Sequence, residues 1–434
     1  MNRMRKAPLE LCTLAPSLLA LLAVTTTATA DSYRAARAEM ITAYEAQDYA
    51  AMRAHAVEAL SARPGFAGGL FNLALAEALG GDAEASLKTL MRLLAQGVDF
   101  AVADQDEFAA LKKLPGWDAY EEAVAALYEP VGNARVAWRL DRSDFIPEGI
   151  AISDTDDLYL GSIRNGDIVR LAKKTTTIAV SADGPHWSVY GMRLRDGRLW
   201  FVSSAVSQFA ALVQGDAGKN GLFAIELATG RVTTRAFLPD KESQQVLGDL
   251  EFAGDGTVLL ADQTDGTIYR YKIDEQSLAI LVGPGVLGSP QGMALDETGE
   301  HAYVADYIGG VARVELATGA VVQVDAPETI NTYGIDGLYR YGDRLIAIQN
   351  GVQPNRVSEY TLSSDGLSVV SSRILAMNLP EFDEPNLGQV KGDSFYFIAN
   401  SHWNRFDGSG SLPADLSGPI ILEIDLKSGQ QAVE

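Results

Sequence analysis

Soft metal ligands are nearly missing from this sequence: 434 residues hold one cysteine and four histidines. The cysteine, Cys12, falls in a leader-like segment, so the mature chain is expected to have no thiol. That excludes a disulfide, a thiolate nucleophile and a cysteine metal site. Positive charge is also scarce. Lys and Arg number 35 against 57 Asp and Glu, a formal net charge of −22. Such a charge disfavours nucleic acid or an anionic membrane surface as main partner, and it leaves room for a bound cation. A G-x-S-x-G nucleophile turn and a phosphate-binding Gly-Lys-Ser/Thr loop are both missing. No segment after residue 30 is apolar for long enough to cross a bilayer. Apolar residues make up 47% of the chain, enough to bury a core and to exclude wholesale disorder.

Residues 1–30 read as a secretory signal. Arg3, Arg5 and Lys6 start it, Leu14, Leu18, Leu19, Leu21, Leu22 and Val24 form its apolar stretch, and Ala28-Thr29-Ala30 is the cleavage site. An uncleaved membrane anchor is the alternative. The expected location is periplasmic or secreted, with Asp31 as the mature N-terminus.

Two regions of different period follow. Residues 31–130 are rich in Ala, Leu, Glu and Arg, with apolar positions at spacings of three and four. Pro64-Gly65, Gly80-Gly81 and Pro115-Gly116 break them into short helices. The run Asn72-Leu73-Ala74-Leu75-Ala76, then Gly80-Gly81-Asp82, Ala85 and Leu90, resembles a tetratricopeptide-type helical hairpin. A generic short helical bundle fits equally.

Residues 133–434 switch to period two, punctuated by Asn165-Gly166, Asp196-Gly197, Asp255-Gly256, Asp265-Gly266 and Asp365-Gly366. A short x-Gly-apolar segment recurs as Glu148-Gly149-Ile150, Tyr190-Gly191-Met192, Gln291-Gly292-Met293 and Asp336-Gly337-Leu338. Gly248-Asp249-Leu250 and Leu387-Gly388-Gln389 are imperfect copies. Six such units predict an all-β six-bladed β-propeller behind a small N-terminal all-α domain. The alternating segment 134–140 is expected to close the ring, and 204–219 and 402–417 are expected insertions. A seven-bladed ring is the alternative.

In such a ring the residue before each glycine belongs at the channel mouth. Glu148, Tyr190, Gly248, Gln291, Asp336 and Leu387 are therefore candidates to converge. Two carboxylates and an amide oxygen suit a hard cation such as Ca²⁺ or Mg²⁺. His186-Trp187 and His402-Trp403 lie near blade mouths. With Tyr190 they are candidate substrate-binding residues, packing beneath a loop being the other reading. Asp262 and Asp306 follow strands and are expected to cap turns.

The residues Pro147-Glu148-Gly149, Ser289-Pro290-Gln291-Gly292-Met293-Ala294 with Tyr303-Val304-Ala305-Asp306, and Ile335-Asp336-Gly337-Leu338 carry a family likeness. Over about 145–400 the chain resembles the senescence marker protein / gluconolactonase / luciferin-regenerating enzyme family of six-bladed propellers. The resemblance implies one divalent cation, Ca²⁺ ahead of Mg²⁺, Mn²⁺ or Zn²⁺, held by Glu148, Gln291 and Asp336. It also implies Asp336 as catalytic base in lactone hydrolysis. Gln291 stands where the family has asparagine, Gly248 where it often has asparagine, and Ile150 where it often has proline.

Two functions follow as expectations. One is an exported metal-dependent hydrolase acting on a small-molecule lactone or related ester. The other is a non-catalytic binding scaffold, with a protein partner on the helical domain.

Overall fold

The computed structural model describes residues 32–172, 175–181, 184–239, 245–407, 410–413 and 415–427. The leader-like segment, with Cys12, lies outside them. Five α-helices come first: α1 (32–45), α2 (Tyr49–Ala62), α3 (Ala67–Leu79), α4 (Ala83–Ala95) and α5 (Trp117–Leu127). The carboxylates of Asp48 and Asp82 cap α2 and α4, accepting from the N–H groups of Ala51 and Ala85 at 3.0 Å each. Gly80-Gly81 turns the chain between α3 and α4, where the Glu77 carboxylate accepts from Thr89 at 2.8 Å. Leu70, Leu90, Leu93, Phe108 and Trp117 form this region's core. No helix among the described residues is long and apolar enough to cross a membrane.

The period-two segments form six four-stranded antiparallel sheets. The first is β2 (Pro147–Ile152), β3 (Leu158–Ser162), β4 (Ile168–Ala172) and β5 (Thr175–Val180). The second is β6 (Ser188–Arg195), β7 (Arg198–Ser204), β8 (Asn220–Glu226) and β9 (Val232–Phe237). The third is β10 (Leu247–Phe252), β11 (Thr257–Asp262), β12 (Ile268–Lys272) and β13 (Ser277–Val282). The fourth is β14 (Pro290–Leu295), β15 (His301–Asp306), β16 (Gly310–Glu315) and β17 (Val321–Gln323). The fifth is β18 (Ile335–Tyr341), β19 (Arg344–Gln349), β20 (Arg356–Leu362) and β21 (Val369–Met377). The sixth takes β22 (Gly388–Lys391), β23 (Ser394–Ile398) and β24 (Ile420–Asp425), and its outer strand is β1 (Arg135–Arg139), paired to β24.

The inner strands β2, β6, β10, β14, β18 and β22 pack on one another in that cyclic order, so the sheets close a six-bladed ring. Because β1 completes the last sheet, the beginning and the end of the ring are tied by a strand pair. The apolar core lies between neighbouring blades. Trp200, Leu222, Leu250 and Tyr269 form one such cluster, and Ile346, Val357, Phe397 and Leu422 another. Asp306 caps as expected, its carboxylate accepting from the N–H groups of Gly288 and Ser289 at 2.7 and 2.9 Å. Asp262 does the same for Val246 and Thr264, at 3.3 and 3.1 Å.

The helical region sits over the end of the ring where the inner strands begin, called the upper end below. Arg63 donates to the Ile308 carbonyl at 2.7 Å, Phe66 lies on Tyr333 with ring centroids 4.8 Å apart, and Asn378 donates to the Leu127 carbonyl at 2.7 Å.

Candidate functional site

A β-bulge interrupts five of the six inner strands at the recurring x-Gly position. The register shifts fall between Pro147 and Ile150, Val189 and Met192, Leu247 and Asp249, Pro290 and Met293, and Ile335 and Leu338. A bulge re-aims side chains, here toward the channel. The glycines let the inner strands approach. A Cβ on Gly149 would lie 2.1 Å from the Tyr190 carbonyl oxygen, and one on Gly191 would lie 2.2 Å from Asp249 Oδ1. The sixth inner strand, β22, runs without a shift. Leu387 therefore lies in the core between the last blade and the first, and Asn386 takes the position facing the channel.

Glu148 is 6% exposed. Its Oε2 accepts from Asn386 Nδ2 at 2.6 Å and from Trp403 Nε1 at 2.5 Å. Burial pushes its carboxyl well above the usual range. The charge of Asp336 adds to that, and the Trp403 and Asn386 donors pull against it. Asp336 keeps part of its surface open to the channel. Its Oδ2 accepts from Asn350 Nδ2 at 2.7 Å, and Asn350 Oδ1 accepts from Tyr307 at 3.1 Å. Burial pushes Asp336 up to about 7; Asn350 opposes the shift, while Glu384 and Asp249 reinforce it. Glu384 is itself raised by burial, with the Asn404 N–H at 2.7 Å in opposition. Among the described residues no Lys or Arg forms an ion pair with Glu148, Asp336 or Glu384. His402, which lies on the neighbouring Asp383, is the basic group that acts on Glu384.

Gln291 donates through Nε2 to Ser289 Oγ at 3.1 Å. Its Oε1 and that of Gln263 crowd Gly248, lying 3.3 and 2.7 Å from where a Cβ there would be. The missing side chain at 248 is therefore matched by two amide oxygens from neighbouring segments. No hydrogen bond among the described residues joins Glu148, Gln291 and Asp336 to one another, and no group of three His, Cys, Asp or Glu is arranged to hold a metal ion.

Residues 401–405, after β23, fold over the mouth and carry Trp403. His402 sits at a positive φ of 58°, and its Nδ1 meets Asp383 Oδ2 at 2.9 Å. Arg405 also pairs with Asp383, at 3.2 Å. These contacts fix Trp403 on Glu148 and against Tyr190, with ring centroids 6.2 Å apart. Tyr190 and Trp403 thus both reach the site, while His402, 3% exposed, anchors the loop.

His186 and Trp187 go elsewhere. His186 contacts the Gly166 carbonyl at 2.8 Å through Nε2 and lies edge-on to Phe201, and burial lowers its pKa. Trp187 donates to Asp216 at 3.3 Å and packs on Phe223. Both sit in the packing beneath the 205–219 insertion, away from the acids, because the chain before β6 turns into the inter-blade core. Asn386, Asn350, Tyr307 and Glu384 went unnoticed in the sequence. Only Asn386 had a signal there, standing one residue before the imperfect sixth repeat.

At the opposite end of the channel a cavity of about 530 Å³ is lined by Arg193, Glu251, Tyr339, Arg340 and Gln389. Arg193 pairs there with Asp249 at 3.2 Å and Glu251 at 3.3 Å, so its charge is already matched. The acids of the upper mouth lie outside this cavity.

No family model matches the chain, and no curated protein matches it in sequence. Among solved structures it is similar to regucalcin, a calcium-binding protein from Agrobacterium tumefaciens, at 16% identity and TM-score 0.49, over 68% of this chain and 95% of that one. It is similar to the PQQ-bound aldose sugar dehydrogenase of Streptomyces coelicolor at 13% identity and TM-score 0.47, over 68% and 100% of the two chains. A candidate gluconolactonase aligns at 14% identity and TM-score 0.46, over 68% and 92%. The likeness is one of ring architecture.

Proposed function

We propose that the protein is an exported, metal-dependent hydrolase that opens a lactone or related ester at the upper mouth of the ring. The observation that carries this reading is the set of acids there, buried Glu148 with half-buried Asp336 and Glu384, none of them in an ion pair with a Lys or Arg among the described residues. Buried negative charge needs a proton, strong donors or a cation. The donor set, two carboxylates with the amide oxygen of Gln291, has the hardness a divalent ion prefers, with Ca²⁺ first. Glu148, Gln291 and Asp336 would hold it. When bound, the ion would polarise a substrate carbonyl.

The chain's own residues supply the rest. Asp336, with a carboxyl near 7, accepts a proton from the attacking water at neutral pH. Asn350 restrains Asp336, and Tyr190 and Trp403 give the mouth an aromatic wall that excludes water from one side.

A second reading, a non-catalytic binding scaffold, draws on the Trp403 N–H that covers Glu148 and on the helical region seated at the same end. Calorimetric titration of the mature protein with Ca²⁺ and Mn²⁺, beside a pH-stat screen of lactones, separates the two. Binding that Asp336→Ala weakens at least about tenfold, together with turnover that Asp336→Ala abolishes, supports the hydrolase. Binding without turnover on any lactone leaves the scaffold. No binding removes the metal reading. Export is tested by recovery of a tagged chain, beginning at residue 31, outside the cytoplasm.

A further inference from the structure

The loop between β19 and β20 is gripped from two sides. On the ring side Asn350 donates to Asp336 at 2.7 Å and accepts from Tyr307 at 3.1 Å. Gly351 donates to the Gly334 carbonyl at 3.1 Å. A Cβ at 351 would lie 2.6 Å from both the Gly334 Cα and the Tyr307 hydroxyl, so only glycine lets the loop settle this deep. On the other side the loop enters the helical region. Val352, 7% exposed, belongs to the same apolar cluster as Leu70, Leu93, Phe108 and Trp117. The Asp99 N–H donates to the Gln353 carbonyl at 2.8 Å. Arg356, at the start of β20, links Gln349 Oε1 at 2.9 Å to the Gln96 and Gly97 carbonyls at 3.2 and 2.6 Å. Within the loop the Asn355 amide donates to the carbonyls of Asn350 and Val352 at 3.1 and 3.0 Å.

A single residue, Gly351, therefore separates the side chain that restrains the channel acid from the side chain buried in the helical core. A carboxylate held by one N–H donor keeps its orientation only while that donor is itself fixed. The donor here is fixed by packing that belongs to another part of the chain.

We propose that Asn350 is a positioning residue for Asp336 and that the helical region, through Val352, sets it in place. This assigns the helical region a part in building the channel site. The proposal rests on Asp336 being the working acid of the hydrolase reading, yet the clamp itself is measurable without metal or substrate.

The test uses the mature full chain labelled with ¹⁵N-asparagine. The Asn350 side-chain amide signal is identified by its loss in Asn350→Ser. In the parent it is expected to stand away from the solvent-exposed asparagine amides and to exchange about tenfold more slowly. Val352→Ala moves it toward the exposed position and removes the protection, while Val352→Ile keeps both. Arg356→Lys, which loosens the same loop without trimming the core, acts as Val352→Ala does and serves if that variant fails to fold. An Asn350 signal unchanged in folded Val352→Ala and Arg356→Lys overturns the clamp.

Calorimetry with Ca²⁺ gives the second arm. Asn350→Ser and Val352→Ala should each weaken binding by a similar factor, roughly 3- to 10-fold, and the double variant should be no weaker than the weaker single. Losses that multiply overturn the coupling. A parent that binds neither Ca²⁺ nor Mn²⁺ defeats the metal-dependent hydrolase reading and leaves the amide signal to decide the clamp.

Discussion

Asp249 occupies the slot where four other inner strands have glycine, and it shows what burial does to a carboxylate even beside a cation. Its Oδ2 meets Arg193 at 3.2 Å, its Oδ1 is buried without a hydrogen-bond partner, and burial outweighs the arginine to push its carboxyl up to about 6. An unfolded aspartate titrates near 3.9, so the folded state holds this proton more tightly. The stability this group contributes is full below about pH 4 and is lost as pH rises through about 6. Urea unfolding of the parent and of Asp249→Asn at pH 4.5 and 7.5 should show it. The parent is expected to lose about 2 kcal/mol relative to the variant between the two pH values. An unchanged difference would mean the carboxylate is better solvated than its burial implies. Some of the channel residues are legible in the sequence and others are not, for a local reason. Glu148 and Asp336 stand in a repeated segment and were legible. Asn350 and Glu384 sit in aperiodic connections, where no pattern marks them.

The inner strand is the element that builds the channel, and its bulge is what makes a repeated dipeptide functional. Gly149 permits the approach of β2 to β6, since a methyl group there would meet the Tyr190 carbonyl at 2.1 Å. Gly149→Ala is expected to cost about 1–3 kcal/mol in chemical denaturation, because two backbones must separate. Gly254→Ala, in open space, should leave stability within about 0.5 kcal/mol. The repeat predicted every inner strand. It placed Leu387 one residue out of register with the channel, because β22 alone among the inner strands runs without a bulge. Bulges depend on how a strand meets its partner, and the sixth copy of the motif carries too little of the pattern to reveal the change.

Across the whole molecule, the helical region and the ring meet through buried polar contacts. Arg356, 2% exposed, satisfies three acceptors that span the junction, namely the Gln96 and Gly97 carbonyls and Gln349 Oε1. Arg356→Met strands the Gln96 and Gly97 carbonyls, each at about 1–3 kcal/mol, while Gln349 Oε1 keeps the Ser358 hydroxyl at 2.9 Å. Differential scanning calorimetry should show one cooperative transition in the parent. In the variant the helical region should melt separately and at lower temperature. A single transition at the parent's midpoint would show that the junction contributes little.

The sequence by itself determined the period of each region, the six-unit repeat and the strand-like alternation of 134–140, because each is read from residues close together in the chain. Tertiary structure alone decided that Glu148 meets Asn386 and Trp403, that Asp336 is restrained by a loop rooted in the helices, and that His186 and Trp187 turn into the packing. Those outcomes depend on side chains as much as 255 positions apart, brought together only when six amphipathic sheets bury their faces against one another around an axis.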